Sequence, residues 1–170
     1  RKIKTASFKC GPDYIDPMFH SKVIGTKSRN LDTFFAGEPV VRYLLEKNME
    51  GMELAVMEGV MGYYDGVGGT TTQASAYDLA RVTETPVILI VNAKGMSVSL
   101  AAYVKGFLGY RKDSQIRGVI FNQMSPMLYP RMKRLVEEEL GIHVYGYVPK
   151  VEDCQIESRH LGLVMPDEVE

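Results

Sequence analysis

Val87-Ile88-Leu89-Ile90-Val91-Asn92 is an unbroken aliphatic run closed by a carboxamide, with Pro86 directly before it. A run this short and apolar, bounded by turn formers, reads as a strand buried on both faces. The same signature recurs at residues 3–9, 54–58, 118–122 and 144–148. Amphipathic stretches lie between. Residues 40–48 place Val41, Leu44 and Leu45 on one side of a helix and Arg42, Glu46 and Lys47 on the other. Residues 72–82, 97–108 and 129–140 carry comparable helical patterning, with Leu135, Val136 and Leu140 directed at the sheet. Strands alternating with helices predict an α/β fold: one parallel sheet, right-handed crossovers and helices on both faces. No internal repeat or linker interrupts the pattern, so residues 1–170 read as one domain. From Cys154 onward the pattern is lost and the tail turns acidic, a lead into a further domain.

Composition narrows the function classes. The 170 residues are 45% hydrophobic and 24% charged, with a net charge of −1. Nothing there attracts nucleic acid or an anionic membrane. No apolar run approaches the roughly 20 residues that span a bilayer. Two cysteines, Cys10 and Cys154, make no disulfide framework, which predicts a cytoplasmic protein. Neither lies in a nucleophile motif, and the ten methionines read as core filler.

In a doubly wound sheet, ligands sit beyond the carboxyl ends of the strands. Lys9 ends the first strand and is expected to point into that crevice. Gly11-Pro12 then turns the chain, and Asp13 and Asp16 precede Pro17 at the start of a short helix. The bland reading makes Asp13 a turn residue and Asp16 a helix N-cap. His20 reads as a packing or surface residue rather than a base. Glu58 closes an apolar strand, where a buried carboxylate is costly unless paired or bound to metal. That is where P-loop enzymes hold a magnesium-organising acid. The glycines that follow allow close backbone approach and leave Asp65 on a mobile loop. Ser97 opens a helix, either as an anion site at its N-terminus or as an ordinary cap. Asn122 and Pro149 end the fourth and fifth strands. An amide there reads a purine edge or caps the next turn.

Five blocks carry a resemblance. They are Phe8-Lys9-Cys10-Gly11-Pro12-Asp13-Tyr14-Ile15-Asp16-Pro17-Met18-Phe19-His20, Ser28-Arg29-Asn30-Leu31-Asp32, Glu58-Gly59-Val60-Met61-Gly62-Tyr63-Tyr64-Asp65-Gly66, Gly95-Met96-Ser97 and Arg159-His160-Leu161-Gly162-Leu163. Over residues 4–163 the chain resembles the synthetase domain of the cobyrinic acid a,c-diamide synthase family. The hydrogenobyrinic acid and nickel-sirohydrochlorin a,c-diamide synthases share nearly the same blocks.

The resemblance implies a dethiobiotin-synthetase-like P-loop fold joined to a C-terminal glutamine amidotransferase domain. It implies ATP- and Mg²⁺-dependent conversion of two acetate side chains of cobyrinic acid, or of a related tetrapyrrole, to amides. Ammonia would come from the glutaminase domain of the same polypeptide, and a homodimer is compatible. By the resemblance, Glu58 and Asp32 hold Mg²⁺ and Lys9 neutralises phosphate and carboxylate charge. Asp13, Asp16 and Asp65 orient substrate and take the proton lost by ammonia. Asn122 reads adenine, with Ser97 and Pro149 beside the nucleotide. Three departures stand out. No Walker A strand and loop precede Arg1, no glutaminase half follows Glu170, and Cys10 replaces a small aliphatic residue. The first two predict an internal fragment without activity by itself, and the third should leave the fold intact. A partition-type ATPase switch on the same sheet is the rival reading.

Overall fold

The computed structural model describes residues 3–151, 158–159 and 162–163. The chain divides into two compact units, Arg1–Thr83 with Ile156–Glu170, and Glu84–Gln155.

The first unit runs β1 (Thr5–Cys10), α1 (Ile15–Phe19), a π-helical turn (His20–Ile24), β2 (Lys27–Leu31), α2 (Glu38–Met49), β3 (Leu54–Glu58) and α3 (Ala76–Thr83). Its strands form a parallel sheet in the order β2-β1-β3. Alternation along β1 sets up the core. Ala6, Phe8 and Cys10 share one face and cluster with Leu31, Val41, Leu79 and Val82, all buried. The opposite face of β1 carries Ser7 and Lys9, also buried. The side chain of Val41 brings α2 onto the sheet, and Leu79 and Val82 do the same for α3.

The second unit runs β4 (Val87–Asn92), α4 (Ser99–Tyr110), β5 (Ile116–Asn122), α5 (Tyr129–Leu140) and β6 (His143–Val148). Its sheet is also parallel, in the order β4-β5-β6. Helix α5 has Pro130 in its first turn and stops at Gly141 in the left-handed conformation, whose N–H reaches the Glu137 carbonyl at 3.1 Å. A short antiparallel pair, β7 (Ser158–Arg159) and β8 (Gly162–Leu163), completes the described elements.

The α/β class and the parallel pairing agree with the sequence reading. Four features differ. The expected single sheet is two sets of three hydrogen-bonded strands. Strand β2 was not expected, because Lys27-Ser28-Arg29-Asn30-Leu31 has no apolar run. It is an edge strand in which only Ser28 and Leu31 are buried. Helix α3 starts at Ala76 rather than 72, because the Ser75 hydroxyl accepts the Asp78 N–H and sets the first turn there. Strands β3 and β4 are not buried on both faces within their units. Leu54 and Val56 are 45% and 50% exposed, and Ile88 and Ile90 are 50% and 66% exposed. In the first unit α1 and the π turn lie against β1 and β2, which leaves the outward residues of β3 without cover.

Candidate active site

The polar face of β1 is where chemistry collects. Parallel register places Lys9 opposite Glu58 on β3 and opposite Asn30 on β2. The Lys9 ammonium is buried between two carboxylates. It pairs with Asp16 and lies 3.2 Å from Glu58 Oε1. Burial alone would pull the Lys9 pKa down, but the hydrogen bonds and charges of Asp16 and Glu58 outweigh it and hold the pKa above its ordinary value. A charged lysine is therefore fixed at the carboxyl end of the sheet.

The loop after β1 explains how Asp16 arrives there. Gly11 has φ +83, a turn that a side-chain-bearing residue rarely adopts, and its N–H bonds the Leu31 carbonyl at 2.9 Å. Asp13 Oδ1 then accepts the N–H groups of Ile15 and Asp16 at 2.9 and 3.2 Å and caps the start of α1. The Asn30 side chain holds the Asp13 carbonyl. The bland reading gave the cap to Asp16 and the turn to Asp13; here Asp13 makes the capping bonds, and Asp16 is the member of the pair that meets Lys9.

Glu58 has a second partner that sequence reasoning set aside. His20 Nε2 lies 2.7 Å from Glu58 Oε2, and His20 Nδ1 lies 3.2 Å from the Ser28 hydroxyl. One signal was available: His20 stands four residues after Asp16, so a helix puts both on one face. Asp16, Lys9, Glu58, His20 and Ser28 form one continuous polar chain.

Asp32 and Asp65 make their contacts elsewhere. Asp32 Oδ1 accepts the Phe34 N–H at 2.8 Å, while Oδ2 is buried without a hydrogen-bond partner. An ionised oxygen left so is costly unless a cation meets it. Asp65 is exposed and folds back on its own turn, its carboxylate accepting the Gly62 N–H at 3.1 Å. The segment beyond it is tied down rather than loose. Gly66 donates to the Thr71 carbonyl at 2.9 Å and Val67 to the Gln73 carbonyl at 3.0 Å. A β-carbon at Gly66 would overlap the Gln73 carbonyl oxygen, so glycine is required by close approach. Beside this segment an open cleft of about 470 Å³ is bordered by Thr33, Glu38, Gln73, Asp78 and Arg81. Asp78 Oδ2 accepts both the Thr33 hydroxyl and the Ala74 N–H at 3.0 Å, joining the segment after Asp32 to the one after Asp65. Arg81 clamps Glu38 and Asp78, each at 2.9 Å.

The remaining expected residues belong to the second unit. Asn122 ends β5 opposite Asn92, and its side-chain oxygen accepts the Gln123 N–H at 3.0 Å. Ser97 is exposed, and α4 opens two residues later at Ser99. Pro149 is exposed just beyond β6. Cys10 is buried in the first core, where burial, then the Asp32 charge, pushes its thiol up to about 11. A buried thiol held protonated in this way is a poor nucleophile. Cys154, His160 and Leu161 lie outside the described residues.

A family model described as an AAA domain matches residues 32–158, well over half of the chain. The chain belongs to this AAA domain family. Curated relatives agree along its whole length. It is 40% identical to a cobyrinate a,c-diamide synthase of Caldanaerobacter subterraneus subsp. tengcongensis, covering 100% of this chain and 38% of the relative. It is 42% identical to a cobyrinate a,c-diamide synthase of Thermoplasma acidophilum, covering 99% of this chain and 38% of the relative. With that of Saccharolobus solfataricus the identity is 44%, over 96% of this chain and 37% of the relative. The chain therefore spans well under half the length of these relatives. No solved structure matches it. Among the described residues no helix is long and apolar enough to cross a membrane.

Proposed function

We propose that this chain is part of the synthetase portion of an enzyme that amidates the a and c acetate carboxylates of cobyrinic acid, using ATP and glutamine. The observation that carries this reading is the charged Lys9 fixed between Asp16 and Glu58 at the strand ends. Relatives named cobyrinate a,c-diamide synthases, at about 40% identity along the whole chain, support it.

The chemistry explains that arrangement. A carboxylate is a poor acyl donor because oxide would have to leave. Attack of a carboxylate oxygen on the γ-phosphorus of ATP breaks the bond to the bridging oxygen and releases ADP. The resulting acyl phosphate accepts ammonia at carbon, and phosphate departs with the electron pair of the broken C–O bond. The proton lost by nitrogen goes to a carboxylate. Lys9 neutralises the charge gathered when phosphate and carboxylate meet. Asp16 and Glu58 hold Lys9 in place. Asp13 spends Oδ1 on the helix start, which leaves Oδ2 to face substrate or the ammonia proton, and exposed Asp65 serves as the third carboxylate. Asn122, with Ser97 and Pro149, contributes to the adenine site.

Glu58 and Asp32 are the residues that would hold Mg²⁺. Among the described residues no three acidic, histidine or cysteine side chains cluster as a metal site. Mg²⁺ takes one or two carboxylates and leaves its other positions to water and phosphate. The unpartnered Asp32 Oδ2 is chemically fit for it. Bound Mg²⁺ would supply charge neutralisation on the phosphates. The expected glutaminase domain of the same polypeptide, the homodimer and the cytoplasmic location belong to this same proposal.

The test uses the full-length protein with ATP, glutamine and cobyrinic acid labelled with ¹⁸O in its carboxylates. The a,c-diamide should form, and one ¹⁸O should appear in inorganic phosphate per amide made. Amidation without label in phosphate would refute the acyl phosphate. Absence of amidation, with ATP consumed, would favour the ATPase switch.

A further inference from the structure

Resting on the amidation reading above, we infer that His20 is a positioning residue that fixes the plane of the Glu58 carboxylate at the strand end. The two Glu58 oxygens are held one each: Oε1 by Lys9 at 3.2 Å and Oε2 by His20 at 2.7 Å. Glu58 itself is 47% exposed. A half-exposed glutamate with one contact keeps considerable rotamer freedom, and a second contact on the other oxygen removes it. The His20 ring, 14% exposed, is the more buried member of the pair.

The ring's own support is unusually complete. An ionised carboxylate only accepts, so the Nε2 facing Glu58 carries the hydrogen. In the neutral ring Nδ1 is then the acceptor, and the Ser28 hydroxyl donates to it. Ser28 is buried on β2, opposite Ser7 in the register, so its position is set by the sheet. The backbone of His20 is pinned as well. Its carbonyl receives the Gly25 and Thr26 N–H groups and the Thr26 hydroxyl, and Thr26 in turn bonds Ser7 at 3.0 Å. A π turn adds a residue to a helix and re-aims its side chains, which is why such turns gather at functional sites. Here it carries the imidazole from the end of α1 to the end of β3.

Two near-isosteric variants of the full-length enzyme separate this role from a structural one. Gln places its amide nitrogen about where Nε2 stands and keeps the Glu58 contact. Asn places its amide about where Nδ1 stands and keeps only the Ser28 contact. His20→Gln should turn over cobyrinic acid at least about ten times faster than His20→Asn, the scale typical of lost supporting hydrogen bonds. Their melting temperatures should match. The deficit of His20→Asn should vanish in a Glu58→Gln background. Equal kcat for the two variants in an active parent, or a deficit that persists without the Glu58 charge, would overturn the inference and leave the amidation reading standing. An inactive parent would overturn the amidation reading alone. Long-range ¹H–¹⁵N spectra of the labelled protein decide the His20 assignment independently of activity. They should show the Nε2–H tautomer, and an Nδ1–H tautomer would refute the arrangement.

Discussion

Replacing Lys9 by Met should destabilise the protein, and neighbouring carboxylates should set how much. Methionine fills similar volume, so packing around the buried stem changes little. What is lost is a buried cation between Asp16 and Glu58, whose side chains are 22% and 47% exposed. Removing one partner of a fully buried pair costs about 3–5 kcal/mol, because a charge is left uncompensated. Both remaining carboxylates reach water, and His20 still contacts Glu58, so the cost here should be about 1–3 kcal/mol. In a domain of this size that lowers the melting temperature by about 3–10 °C. Adding Asp16→Asn to Lys9→Met removes the stranded charge and should recover part of the loss. A double-mutant cycle on the full-length protein, followed by thermal denaturation at neutral pH, measures that coupling. Additive losses, or a Lys9→Met midpoint equal to the parent's, would refute the view that Lys9 is held by charge.

Glu58→Gln should lower amidation by about 100-fold, roughly 3 kcal/mol of barrier, while the protein stays folded. Turnover at rising Mg²⁺ with a parallel melt tests this, and near-parental turnover would move attention to Asp32. Stability should fall as pH rises above about 9. The folded Cys10 thiol keeps its proton up to about 11 while the unfolded one loses it near 9.0, so the folded state binds more protons in that window. Cys10→Ala should flatten this slope, whereas Lys9, with its raised pKa, acts only above the ordinary lysine value of 10.5. Denaturant titrations at successive pH values read both effects. Gly66→Ala should force the 66–73 segment off the Gln73 carbonyl at a cost of about 1–3 kcal/mol. Faster amide exchange of Val67 is the expected sign.

Much of this molecule was legible in its sequence. Runs such as 87–92 and 54–58 became strands with those same bounds, because short aliphatic and β-branched stretches between turn formers favour the extended chain. Helix α5 also kept its expected limits, with proline at its first turn and glycine at its end. Glu58 was singled out because a carboxylate closing an apolar strand is costly without a partner, Lys9 because a strand-end lysine faces the ligand crevice, and Asp16 by the block that follows the first strand. Tertiary structure alone decided who those partners are. Strand β2 is almost wholly polar and gives no periodic signal, yet it supplies Ser28 and Asn30 to the site. The sequence reading offered the cap to Asp16 and the turn to Asp13, but chain geometry gives the cap to Asp13 and Asp16 to Lys9. His20 is separated from Glu58 by 38 positions, and only the π turn and the parallel register bring them to 2.7 Å. Local pattern fixes which residues must be buried or paired; which long-range partner meets each one depends on register and turn geometry, which no short window of sequence contains.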